Sequence, residues 1–223
     1  MSKILITGSG KGLGKELVRQ LTDDGHIVYE YDIAQDCDVR RPNLRGIDEL
    51  DVLINNAGVN IIDWLENFSE AQWDQVMDVN AKGIFKMTQA CLPLLAKSQG
   101  TVLNIVSNAA HMPMTCSLAY NASKGAAHIM TLQLARELTK KHNITVFGVA
   151  PNKMAGTGMS DSIDDQVVAT RGWTKEFAQQ YQINGLLCGE ETPPARVAEF
   201  ITFLLQDKAH HKHLTGCILP YGA

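Results

Sequence analysis

Short apolar runs rich in β-branched residues alternate with longer stretches of helical periodicity along the whole chain, and this alternation restricts the fold more than any other feature. Lys3–Thr7 (KILIT), His26–Asp32 (HIVYEYD), Asp51–Asn56 (DVLINN), Thr101–Val106 (TVLNIV), Ile144–Ala150 (ITVFGVA) and Thr215–Pro220 (TGCILP) read as strands. The unbroken apolar ones have the character of strands buried on both faces. Between them the pattern is helical: one helix carries Leu13, Leu17, Val18 and Leu21 on a single face, two long ones cover Ser69–Lys97 and Tyr120–His142, and Pro193–Leu205 has proline in its first turn. Such alternation dictates a parallel sheet with helices on both faces. The expectation is an α/β fold, a single doubly wound Rossmann domain over residues 1–223 with six or seven mainly parallel strands. Only a few residues separate the second strand, ending near Ile33, from Cys37–Val39. A parallel crossover needs about a dozen or more, so the helix between strands two and three is missing, and the third strand is either absent or a fragment.

Composition narrows the function classes. The chain has 223 residues, 45% of them hydrophobic, enough for a large core. A net charge of −4 offers nothing to nucleic acid or an anionic membrane surface. No apolar run approaches the roughly 20 residues of a membrane helix, and no basic-then-apolar leader precedes the first strand. Five scattered cysteines (Cys37, Cys91, Cys116, Cys188 and Cys217) include no C-x-x-C pair and read as reduced thiols of a cytoplasmic protein. The run His210–His213 (HHKH) has no Cys or carboxylate partner and reads as a solvated loop, so no metal site is expected.

The segment Thr7–Gly14 (TGSGKGLG) lies between the first strand and the first helix, where a Rossmann fold binds a diphosphate. G-x-G-x-x-G fails, because Leu13 or Lys15 stands where its last glycine belongs, and the P-loop pattern fails at Ser9 and Glu16. G-x-x-x-G-x-G fits with Gly8, Gly12 and Gly14. Glycine permits the tight turn and lets main-chain N–H groups approach phosphate. Asp32 ends the second strand, where a carboxylate accepts hydrogen bonds from ribose hydroxyls and repels a 2′-phosphate. Lys11 pulls the other way. The fixed strand end outweighs a lysine free to swing into water, so NAD is preferred and NADP stays possible.

These motifs together resemble the short-chain dehydrogenase/reductase family over nearly the whole chain. TGSGKGLG matches its cofactor loop, NNAG (Asn55–Gly58) its second signature, and Asp38–Val39 its adenine-contacting pair. Asn80 stands at the family's helix asparagine, Ser107 precedes Tyr120 by thirteen residues, and YNASK (Tyr120–Lys124) matches Y-x-x-x-K. The resemblance implies cofactor contacts from Gly8, Ser9, Lys11, Gly12, Leu13, Gly14, Asp32, Ile33, Asp38, Val39, Asn56, Ala57, Gly58, Tyr120, Lys124, Pro151 and Met154. It also implies a homodimer or homotetramer through the two long helices. Departures are the lost helix, Asn152 in place of a glycine after Pro151, an extra residue before Thr157, and Tyr221–Ala223 where the family has aspartate–glycine–glycine.

Hydride exchange at a carbinol carbon requires a proton to move on or off the oxygen. A free phenol, with pKa about 10, is a poor base. Lys124, one helical turn from Tyr120, adds a cation expected to favour phenolate, which makes Tyr120 the general acid/base. Ser107 donates to the reacting oxygen. From the resemblance, Lys124 also binds the nicotinamide ribose and Asn80 holds a relay water. The catalytic set is therefore Asn80, Ser107, Tyr120 and Lys124, and the substrate-binding residues are Ser107, Tyr120 and the rim residue His111. Met112, Met114 and Cys116 suggest an apolar pocket wall. Trp173, Phe177 and Tyr181 are either helix core or part of a substrate lid over residues 152–192. The expected reaction is hydride transfer between NAD(H) and an alcohol or carbonyl substrate. Alternatives are an NADPH-dependent 3-oxoacyl-type reductase and a non-catalytic dinucleotide sensor or scaffold. An epimerase ranks last, because only 72 residues follow Pro151.

Overall fold

The computed structural model describes residues 1–222, the side chain of His210 excepted. Six strands, β1 (Lys3–Thr7), β2 (Ile27–Tyr31), β3 (Val52–Asn55), β4 (Thr101–Ile105), β5 (Thr145–Pro151) and β6 (Ile218–Tyr221), form one sheet in the order β2-β1-β3-β4-β5-β6. Every pairing is parallel. The helices are α1 (Gly12–Asp23), α2 (Glu70–Met77), α3 (Gly83–Ser98), α4 (Leu118–His142), α5 (Gly158–Arg171), α6 (Lys175–Asn184), α7 (Pro194–Leu205) and a short α8 (Lys208–His211).

Successive strand side chains point to opposite faces, and both faces are buried. Ile4, Ile6, Val52, Ile54, Leu103, Ile105, Phe147 and Val149 meet Leu13, Leu17 and Leu21 of α1 and Val197 and Ile201 of α7. On the opposite face Leu5, Leu53, Val102 and Val146 meet Met87, Cys91 and Leu95 of α3 and Leu138 of α4. This double coverage explains why the strands read as continuous apolar runs.

Two local features differ from the pattern read in the sequence, and a third, the missing strand, is one of the two outcomes it left open. The stretch Ser69–Lys97 is not one uniform helix: Ser69 caps α2 through a capping box with Gln72, and a π-helical turn over Asp78–Lys82 joins α2 to α3. No third strand forms between β2 and β3. The chain leaves Asp32 through a 3-10 turn, Ile33–Gln35, and Asp36 adopts φ +58°. Val39 then buries itself against Gly83, where a Cβ would stand 2.9 Å from Val39 Cγ2. The HHKH run is not all solvated, since His211 is 4% exposed and its Nε2 lies 3.0 Å from Thr101 Oγ1. Burial lowers the pKa of this imidazole. Ala223 of the expected C-terminal motif lies outside the described residues, and Gly222 adopts φ +77° beside Thr192 and Asn152.

The β1–α1 turn depends on missing side chains. A Cβ at Gly14 would lie 2.0 Å from the Gly8 carbonyl oxygen, and one at Gly8 would lie 2.8 Å from Ala57 Cα. Gly14→Ala is therefore expected to destabilise the protein by about 3 kcal/mol. Gly158→Ala, where a Cβ meets nothing within 4 Å, should be neutral or stabilising by up to about 1 kcal/mol. Urea denaturation of the two variants checks the contrast.

Candidate active site

The carboxyl ends of β1, β3, β4 and β5 open into a cleft of 630 Å³ at the point where the chain, having run to one side of β1, crosses to the other. Open parallel sheets bind their ligands at this switch in strand order. Asn56 holds the floor of the cleft. Its Nδ2 donates to the carbonyls of Thr7 at 2.9 Å and Gly8 at 3.0 Å. In return Thr7 Oγ1 accepts from the N–H groups of Asn56 and Ala57. The first turn of α1 follows without a side-chain cap from Lys11, so its N–H groups face the cleft as a positive, donor-rich end.

These features fit a dinucleotide. Gly8 and Gly12, both at positive φ, keep the diphosphate position free of side chains, and the helix N-terminus supplies donors. Asp32 is buried where β2 ends. Its carboxylate accepts from the Gly10 N–H and the Ala34 N–H, both at 2.9 Å. Gly10 has room for this contact because it has no Cβ, which would lie 3.1 Å from Asp32 Cγ. Asp38 pairs with Arg40 at 2.9 Å, and that guanidinium holds its carboxyl below the usual range.

The cleft is lined by Gly8, Lys11, Gly12, Leu13, Asp32, Ile33, Asp38, Val39, Asn56, Ala57, Gly58, Pro151 and Met154, together with Tyr120 and Lys124. Two residues expected to touch cofactor do not line it. Ser9 is buried with an unpartnered hydroxyl, and Gly14 packs behind the turn, where its missing Cβ admits the Gly8 carbonyl. Arg40 and Asn60 line the cleft and had no distinguishing motif; Thr157, beside which the sequence departs from the family pattern, lines it too and caps α5.

The small residues of α4 explain how Tyr120 and Lys124 reach this cleft. Ala119, Ser123 and Ala127 are fully buried, so the helix lies close to its neighbours. Lys124 Nζ donates to the Ile105 carbonyl at 2.9 Å and sits 5.8 Å from the Tyr120 ring centre. Ser107 stands beside the Tyr120 phenol and acts to lower its pKa. Asn80, fully buried in the π-helical turn, gives its amide N–H groups to the Val59 carbonyl and to Ser123 Oγ, and its Oδ1 accepts the Val59 N–H at 2.8 Å. The side chain thus fastens the loop after β3.

The protein's own groups alone do not acidify Tyr120. Burial pushes the phenol up, against the opposing effect of Ser107. The same burial pushes Lys124 down from 10.5 to about 8. Desolvation penalises both charged forms.

A second cavity of 330 Å³ adjoins the cleft, and Ser107 and Tyr120 line both. Met112 and Met114 form part of its wall, whereas Cys116 packs with Ile62, Val167 and Ala178 instead. His111 lines neither cavity. It is exposed and packs edge-on against His128 with ring centres 4.4 Å apart, so the rim role expected of it is corrected. Trp173, Phe177 and Tyr181 cluster at 5.0–6.4 Å, with Phe177 and Tyr181 more than half exposed and Tyr181 facing the cavity.

Residues 32–168 match the sequence model of a family described as short chain dehydrogenase. The 3-oxoacyl-(acyl-carrier-protein) reductase of Staphylococcus epidermidis is 28% identical over 95% of this chain and 93% of its own length. Cyclopentanol dehydrogenase of Comamonas sp. is 26% identical over 98% and 95%. Among solved structures, NAD+-bound xylitol dehydrogenase superposes with a TM-score of 0.91 at 21% identity, covering 100% of this chain and 98% of its own. An actinorhodin polyketide ketoreductase with NADPH superposes with a TM-score of 0.87 at 23% identity, covering 98% and 95%. The chain belongs to the short-chain dehydrogenase family.

The lysine shift has a measurable sign. Unfolded, Lys124 keeps its proton up to about pH 10.5; folded, it releases it near 8. Between these values the unfolded state binds more protons, so stability rises with pH. Relative to Lys124→Met, the wild-type chain is expected to gain roughly 1 kcal/mol between pH 7 and pH 9, read from urea denaturation at the two pH values.

Proposed function

We propose that this short-chain dehydrogenase moves hydride between NAD(H) and an alcohol or carbonyl substrate, with Tyr120 as general acid/base. The observation that carries the reading is that Tyr120 and Ser107 line both cavities. A reacting oxygen placed beside them touches both. The nicotinamide, when bound, supplies or accepts the hydride. Tyr120 holds the proton and passes it to the substrate oxygen in reduction, a direction that its burial favours because the phenol stays neutral. Ser107 donates to the same oxygen and stabilises its developing charge. Lys124, anchored on Ile105 O, fixes the far side of the phenol. Asn80 holds Val59 and with it the loop that carries Ala57 and Gly58.

Asp32 supports NAD over NADP. A 2′-phosphate would lie against a carboxylate fixed by Gly10 and Ala34, and Arg40 spends its charge on Asp38. Residues 152–192, with α5 and α6, are the substrate lid. A homodimer or homotetramer would form through α2–α3 and α4, where Phe85 and Ile129 stand exposed. The five free cysteines suit a reducing cytoplasm.

Tyr120→Phe is expected to lower kcat/KM on a panel of alcohols and ketones by about 10²–10⁴-fold with cofactor binding retained. Cofactor binding without turnover in the wild type would instead mark a sensor. In fluorescence titrations NADH should bind at least about tenfold tighter than NADPH, and Asp32→Ser should erase most of that difference; a wild-type preference for NADPH would overturn the assignment.

A further inference from the structure

The ionisable side chains that line the smaller cavity, the phenols of Tyr120 and Tyr181 aside, are two cations, Lys153 and Arg171; among the described residues no aspartate or glutamate lines it. The two differ in how their charge is balanced. Lys153 lies 2.5 Å from Asp164 and 2.7 Å from Glu191, all three largely buried, so its charge is already spent. Arg171, in the last turn of α5, has no carboxylate partner among the described residues. Its guanidinium lies 4.7 Å from the Trp173 ring and 5.9 Å from that of Tyr181. One Nη2 hydrogen goes to the Thr115 carbonyl at 2.6 Å, and the buried Nε has no acceptor. A purely mechanical strut between α5 and the loop before α4 would explain the Thr115 bond. It would leave the buried Nε without an acceptor, and such orphaned donors are rare.

We propose that the substrate is a compact oxo acid, or the matching hydroxy acid, whose carboxylate is received by Arg171 while its carbonyl or carbinol oxygen sits at Tyr120 and Ser107. The assignment rests on the oxidoreductase reading above. A guanidinium fork suits a carboxylate. A phosphate dianion would call for a second uncompensated cation, which Lys153 does not supply. The volume of 330 Å³ is at the small end for ligand cavities, and Met112, Met114, Ile163 and Leu186 give the middle of the molecule an apolar bed. Arg171 is thus a specificity residue, distant in role from the proton transfer.

The test compares linear oxo acids, roughly four to eight carbons long, with their methyl esters, using NADH and NADPH in turn. The full-length wild type, Arg171→Gln and Arg171→Lys are assayed together, with melting temperatures confirming that each is folded. In the wild type the best acid should exceed its ester in kcat/KM by at least about tenfold, mainly through KM. That ratio should fall to about one in Arg171→Gln and take an intermediate value in Arg171→Lys. A strut would lower acid and ester together and leave the ratio intact. An equal response to acids and esters in the wild type, or a ratio unmoved by Arg171→Gln, overturns the carboxylate assignment and leaves the oxidoreductase standing. Absence of hydride transfer to any acid, ester or simple ketone with either cofactor overturns both.

Discussion

The site depends on two contacts that side chains would forbid. The Gly8 carbonyl comes within 2.0 Å of where a Gly14 Cβ would stand, and Ala57 comes within 2.8 Å of a Gly8 Cβ. These approaches press the β1–α1 turn onto the end of β3, and Asn56 then fastens the two with hydrogen bonds to Thr7 and Gly8. From there the geometry propagates. The helix N-terminus faces the cleft, Asp32 reaches across to Gly10, and the loop from Asn56 to Val59 is delivered to Asn80. Asn80 in turn reaches Ser123, one residue from Lys124. A backbone contact at one end of the cleft is thus linked by named hydrogen bonds to α4, which carries Tyr120 and Lys124, at the other.

Desolvation works on both members of the tyrosine–lysine pair. A buried site sharpens every interaction with developing charge, but it also raises the energy of phenolate and ammonium before any ligand arrives. Ser107 is the one hydroxyl that opposes this at Tyr120, and the Ile105 carbonyl holds Lys124 in place. For this pair burial favours the neutral phenol and the neutral amine.

The sheet was legible because burial on both faces leaves an apolar run that cannot be mistaken for an amphipathic strand, as in Thr101–Ile105. The turn Thr7–Gly14 and the Tyr120–Lys124 spacing were legible because each needs particular residue types at fixed offsets. What stayed hidden was made by contacts distant in sequence. His211 looked solvated beside His213 because its partner Thr101 lies 110 residues away. Asn80 gave its position but not its partner, because the loop it fastens belongs to a different strand. His111 misled for a simpler reason: its distance from Ser107 suits a rim, but the 3-10 turn Asn108–Ala110 carries it onto His128. Arg171 and Lys153 belong to no motif, and only the fold separates the charge that is balanced from the one that is not.

The missing third strand also changes the outline of the sheet. β2 bonds to β1 on one side only and forms its margin. Such margins invite extended segments of other molecules, and long flat ones seed fibres. This one is five residues long, carries the exposed Glu30 at its fourth position, and gives way at once to the Asp32 turn. Its length and its charge make it a poor template for a foreign strand.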